Sequence, residues 1–194
     1  MATQDSRIKI KRSTISGTVP TVAPSTDHTQ PSPAWTATDI YKGELFINQA
    51  DDTLWTRGDN GVVCISGYAE LDVTSAQVIT GNSSPVAFGL TVPSGYAIDI
   101  IGGSVTIDYG TTPYATNMNV SVRTVGSTDS QIVSPNALNA TQTCTRKMAI
   151  NANFTATDTQ LINGADIEFY VDSGNPTAGD SDIKIRVYYR LIPA

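Results

Sequence analysis

The last third of the chain carries the clearest alternation of apolar and polar positions. Ile167, Phe169 and Val171 alternate with Asp166, Glu168, Tyr170 and Asp172, and Ile183, Ile185, Val187, Tyr189 and Leu191 alternate with Lys184, Arg186, Tyr188 and Arg190. A period of two places one set of side chains on a buried face and the other toward water, the signature of half-buried strands. Antiparallel closure across the Gly/Pro/Ser-rich loop 173–181 predicts Glu168 opposite Arg186. Upstream, Val105, Ile107 and Tyr109 alternate with Ser104, Thr106 and Asp108, and Met118, Val120 and Val122 with Asn119, Ser121 and Arg123. Gly102-Gly103 interrupts the run 97–109 and predicts a bulge or bend. Leu71, Val73 and 78–80 read as further short runs, 86–92 leads into the turn Pro93-Ser94-Gly95, and Met148, Ile150 and Phe154 mark another strand. No segment reads as a helix; 134–143 comes nearest, with too many Asn and Thr to stand on propensity. Seven or eight short, turn-separated strands predict an antiparallel β-sandwich of jelly-roll type over 67–194.

The stretch GELFINQADDTLWTRGDNGVVCIS, 43–66, predicts a three-stranded meander. Its strands are 43–49, 53–57 and 62–66, with turns at Ala50-Asp51-Asp52 and Gly58-Asp59-Asn60-Gly61. Such a meander is marginal alone. Its Leu45, Ile47, Leu54 and Trp55 would need cover from another domain or from other copies of the chain. Before it, RIKIKR (7–12) predicts a short strand with Ile8 and Ile10 on one face, pairing with another chain or docking on a partner. Residues 13–38 are rich in Pro, Ser and Thr and build no core; Trp35 stands out there as a side chain ordered by contact. The predicted fold is thus all-β: an extended arm and meander over 1–66, then the sandwich.

Charge refines this picture. Residues 1–42 carry Arg7, Lys9, Lys11, Arg12 and Lys42 against Asp5, Asp27 and Asp39, so the arm is basic on a chain of net charge −6. It either meets an acidic partner surface or is a solvated arm. The acidic total argues against nucleic-acid binding. Cys64 and Cys144 are too few for a disulfide framework and read as reduced, buried thiols. No apolar run reaches the roughly 20 residues of a membrane helix, and none at the start reads as a signal peptide, which predicts synthesis in a cytoplasm without membrane association.

Groups for chemistry are sparse. The one histidine, His28, lies in the arm, which leaves no His-based triad and no His-rich metal site. No phosphate loop, nucleophile elbow or His-Glu-x-x-His occurs. Asp51, Asp52, Asp59, Asp99, Asp108, Asp166, Glu168, Asp172, Asp180 and Asp182 fall in turns or at alternate strand positions, where solvated charges belong. No catalytic, cofactor or metal site is expected. Asp180 and Asp182 read as an acidic turn ahead of a cation site, and exposed Tyr, Asn and Thr on loops as ordinary sandwich surface ahead of a carbohydrate site.

RIKIKRSTISGTVPT, the Pro/Ser/Thr spacer and GELFINQADDTLWTRGDNGVVCIS together resemble the N-terminal module of tailed-bacteriophage appendage proteins, the head-fibre, capsid-decoration and tail-fibre proteins. Their opening has the form IKIKRST…G…PT and their meander GELA-N-x-x-D-x-x-L-aromatic. Ile8 to Thr14, Pro20-Thr21, Gly43-Glu44-Leu45, Ile47-Asn48, Asp52 and Leu54-Trp55 carry the match, over about a third of the chain; Phe46 replaces the usual small residue. The run SVTIDYGTTPYATNMNVSVR is similar to a segment of β domains in phage structural proteins. The resemblance implies a non-enzymatic virion protein, usually a homotrimer, attached through its N-terminal part to the major capsid protein or another virion protein. Anchoring and assembly would fall to Ile8, Lys9, Ile10, Lys11, Arg12, Trp35, Leu45, Ile47, Leu54 and Trp55, the apolar groups burying and the basic ones meeting an acidic shell. The alternative is a tail-fibre protein whose sandwich loops touch host glycans.

Overall fold

The computed structural model of the chain describes residues 10–23, 36–59, 61–115, 118–127, 130–150 and 166–193. The fold is all-β, with one short α-helix among the described residues. The chain divides into two compact units, Met1–Gly67 and Tyr68–Ala194.

In the first unit, β1 (Ile10–Ser13), β4 (Leu45–Asn48), β5 (Thr53–Gly58) and the start of β6 (Gly61–Val73) lie side by side in that order. The meander is antiparallel, as its turns predict: Leu45 pairs with Thr56 and Phe46 with Trp55. Asp52 takes the left-handed conformation, with φ of 50°, where the chain reverses between β4 and β5. The arm strand departs from expectation. It pairs within its own chain, parallel to β4, with Ile10 beside Leu45 and Arg12 beside Ile47. A second, two-stranded parallel sheet joins β2 (Thr21–Val22) to β3 (Asp39–Ile40).

The second unit is a sandwich. One sheet runs β6, β13 (Asp182–Pro193), β8 (Tyr96–Asp108), β11 (Cys144–Ile150). The other runs β10 (Ser130–Ser134), β9 (Val120–Thr124), β12 (Ile167–Val171), β7 (Val86–Ala87). The far end of β11 crosses to β10, where Ile150 pairs with Ile132. Ile183, Ile185, Val187, Tyr189 and Leu191 are buried on the inner face of β13, and Val120, Val122, Phe169 and Val171 are buried on the other sheet. The layers meet closely: a Cβ on Gly103 would lie 2.8 Å from Cδ1 of Ile132 and 2.7 Å from the Arg186 carbonyl oxygen. The bulge forms at Ile101, beside Gly102, where the β8–β13 register slips by one.

Three expectations are corrected. Glu168 does not face Arg186, because β12 and β13 belong to different sheets. Glu168 pairs with Arg123 of β9, Nε to Oε1 2.7 Å, and Arg186 reaches Glu70. Alternation gives both strands an apolar face, and those faces look at each other through the core instead of lying edge to edge. Residues 78–80, read as a strand, belong to helix α1 (Ser75–Thr80), set by a capping box in which Thr74 accepts from the Gln77 amide and Gln77 accepts from the Thr74 amide. Cys64 is buried but Cys144 is only half-buried, and neither forms a disulfide. In 134–143 a single 3₁₀ turn forms at Ala137–Asn139. Phe154 lies outside the described residues.

Candidate assembly surface

The sheet of the first unit has two unlike faces. On the inner face, Phe46 and Trp55 are 1% and 0% exposed. The Trp55 indole N–H donates to Thr53 Oγ1 at 2.8 Å, so this buried aromatic leaves no polar atom unpaired. Cys64 completes the row beside Trp55.

Polar residues of the GELFIN…D motif fasten the arm to the meander on the same unit. Asn48, fully buried, donates through Nδ2 to the Ile15 and Thr18 carbonyls and to Asp51. Asp51 accepts from Ser16 Oγ and the Gly17 amide, both at 2.7 Å. Glu44 accepts from the Tyr41 amide at 2.9 Å. Asp39, also buried, accepts from Thr21 Oγ1 and the Thr36 amide, each at 2.5 Å. Burial would raise its pKa, but these bonds outweigh burial and hold it below the ordinary aspartate value. The Asn48–Asp51 pairing was hidden in the sequence, where Asn48 read as a strand residue and Asp51 as a turn residue. An Asn three residues before an Asp at a reversal was the available signal.

The outer face is apolar. Paired positions run Ile10–Leu45–Thr56–Val63 and Arg12–Ile47–Leu54–Ser66. Ile65 joins them, because the β5–β6 register slips at Leu54–Trp55. Ile10, Val63 and Ile65 are each 46% exposed, while Leu45, Ile47 and Leu54 are half-buried.

The residues singled out for anchoring are thereby sorted. Ile10, Arg12, Leu45, Ile47 and Leu54 share the outer face. Trp55 does not: it follows Leu54 directly in an extended strand and points the other way. Phe46, which looked like a departure from the motif, is its core partner. Lys11 also turns inward, donating to the Asp39 carbonyl with its ammonium 3.9 Å from Glu44. Its pKa is lowered, mainly by burial and against the pull of Glu44. Lys11 is thus committed within its own chain, while Arg12 is exposed. Ile8, Lys9 and Trp35 lie outside the described residues, as does His28.

The second unit carries a different feature. A cleft of about 480 Å³ opens on the outer face of the β6–β13–β8 sheet, lined by Asp72, Thr106, Asp108, Asp182, Lys184 and Arg186 among others. Lys184 bridges Glu70 and Asp72 at 2.6 and 2.9 Å. Glu70 is held down to about 2 by hydrogen bonds from Lys184 and Tyr68, with Arg186 adding to them. Asp180, two residues before Asp182, is taken up as a loop staple by the Thr111 and Thr112 amides. Among the described residues no three His, Cys, Asp or Glu side chains gather as a metal site, and no helix is long and apolar enough to cross a membrane.

No protein-family model matches the chain, and no curated protein matches it either. Among solved structures, the chain is similar to a component of the "Cyanophage Pam1 capsid asymmetric unit", at 16% identity and a TM-score of 0.42, over 66% of this chain and 84% of that one.

Proposed function

We propose that this chain is a non-enzymatic structural protein of a bacteriophage virion. In this reading it is a homotrimeric capsid decoration, cement or short head-fibre protein, assembled in the host cytoplasm and held to the particle through its first unit. One observation carries the assembly: the outer face of the β1–β4–β5–β6 sheet, where Ile10, Leu45, Ile47, Leu54, Val63 and Ile65 form a continuous apolar surface. A small sheet with one face sealed by its own arm and the other apolar is stabilised by covering that second face. Other copies of the same chain supply an equally apolar face at no cost in charge. The motif resemblance of 7–66 to phage appendage modules supports the virion setting and the number three. Arg12, exposed at the rim of the face, is the basic group best placed to meet an acidic shell protein.

The test is the mass in solution. Sedimentation equilibrium at micromolar concentration is expected to give three chains. The double variant Ile47→Asp, Leu54→Asp is expected to give one, with an unchanged far-UV spectrum. A wild-type monomer overturns the reading. Particles that take up the double variant as well as the wild type show that this face is not needed for incorporation.

A further inference from the structure

Alternate residues of β13 present one outward row on the second unit: Asp182, Lys184, Arg186, Tyr188. The first three line the cleft. At its acidic end the register sets Asp182 directly opposite Asp108 on β8. Like charges in opposed positions of a strand pair are destabilising. Neither carboxylate has an ion-pair partner among the described residues. Asp182 Oδ1 accepts from the Ser75 amide at 2.7 Å and Asp108 Oδ1 from Thr143 Oγ1 at 3.3 Å, and no described residue donates to Oδ2 of either. A sequence that keeps two opposed carboxylates where Thr or Asn would fit a strand surface breaks a local rule, and such breaks concentrate at functional sites.

Donors follow along the same row. Arg186 Nη1 donates to Thr106 Oγ1 at 3.1 Å, at the cleft wall. Beyond Arg186 stands Tyr188, 48% exposed, with its ring centroid 5.6 Å from that of Tyr68. Tyr188 pairs with Gly102, where a Cβ would meet nothing within 4 Å, so the surface beside the ring is open. From Asp182 to Tyr188 the row extends about 20 Å at the rise of a strand.

We propose that the Asp182–Lys184–Arg186–Tyr188 row, with Asp108 opposite, is a binding site for a neutral oligosaccharide. Paired carboxylates accept hydrogen bonds from adjacent sugar hydroxyls, the N–H groups that Lys184 and Arg186 do not spend on Glu70, Asp72 and Thr106 donate to ring and hydroxyl oxygens, and a half-exposed aromatic ring stacks on the apolar face of a pyranose. Asp72, Asp108 and Asp182 against Lys184 and Arg186 leave the cleft net negative, which selects neutral sugars over acidic ones. All these residues belong to the second unit, so the site stands or falls independently of the assembly reading.

The probe is an array of immobilised di- and trisaccharides, neutral ones built from glucose, galactose, mannose, rhamnose and N-acetylhexosamines alongside uronate-containing ones, exposed to the full chain. Retention of neutral sugars is expected. Tyr188→Ala is expected to weaken it about tenfold, the size of one lost aromatic contact, and Tyr188→Phe to keep it. Asp108→Asn is expected to weaken binding while raising the melting temperature, because it relieves the opposed charges; a purely structural carboxylate would lower it. No retained sugar, retention of acidic sugars alone, or equal retention by wild type, Tyr188→Ala and Asp108→Asn would overturn the proposal. So would a calorimetric response to calcium chloride alone, which would make the pair a cation site.

Discussion

Phe46 faces Trp55 directly across β4 and β5, and the two together are the enclosed centre of the first unit's sheet. Leu54, adjacent in sequence, looks the opposite way. Truncating a fully buried large aromatic costs about 3–5 kcal/mol, since lost transfer energy and a cavity add. Trp55→Ala is therefore expected to lower the opening free energy of β4 and β5 by that order, measured by native-state hydrogen exchange on the dilute chain. Leu54→Ala under the same conditions is expected to cost no more than about 1 kcal/mol, in keeping with a half-exposed position. Equal costs would contradict the assigned faces.

Asn48 ties the arm to the meander through the Ile15 and Thr18 carbonyls. Asn48→Leu removes a fully buried donor and its three bonds, to the Ile15 and Thr18 carbonyls and to Asp51, at about 1–3 kcal/mol. The expected readout is faster exchange through 10–18 with little change in the second unit. It follows that deleting 1–42 is not a clean removal of an anchor. It also strips β1 and Asp39 from the covered face and is expected to expose Phe46 and Trp55 to a hydrophobic dye. A deletion variant that binds no dye would show that the arm contributes no cover.

Glu70 makes acid stability specific. Its folded pKa lies at about 2, below the ordinary 4.5, chiefly through Lys184 and then Tyr68. For a depressed carboxylate, the favourable contribution is complete above the unfolded pKa and fades as pH falls toward the folded one. The melting temperature is expected to drop between pH 4.5 and 2 more steeply in the wild type than in Glu70→Gln. Parallel curves would remove Glu70 from the account.

Gly103 is a point of close approach between the two sheets. A methyl group there would press on Ile132 and on the Arg186 carbonyl oxygen. Gly103→Ala is expected to destabilise the second unit by about 1–3 kcal/mol in urea unfolding. Ile132→Val in the same chain should restore only part, because the backbone contact persists. Gly102→Ala, where the space is open, is the control and should be nearly silent.

Period-two alternation made the strands legible wherever one face was buried, which is why β8, β9, β12 and β13 could be read closely. It did not report which strands pair, since alternation constrains faces and leaves partners open; hence Glu168 was matched to Arg186 instead of Arg123. The short strand β10 was missed because Ser130, Gln131, Ile132, Val133 and Ser134 offer too few apolar positions for a pattern. Helix α1 was missed because the β-branched run Val78-Ile79-Thr80 resembles a strand, although Thr74 and Gln77 carried the capping signal. In the first unit Phe46 was discounted as an exception when its spacing from Trp55 made it the core. The cleft was invisible as a site because Asp72, Asp108 and Asp182 are distant in sequence and meet only through the β6–β13–β8 order.

That order sets when the second unit can form during synthesis. β13 lies between β6 and β8, yet it is the last of these strands to leave the ribosome. Until it arrives, the inner residues of β8, Val105 and Ile107, have no hydrogen-bonded neighbour on that side, and its open edge can pair with another nascent chain. The sandwich therefore closes late and all at once, and chains held together in a growing assembly would share that exposed interval.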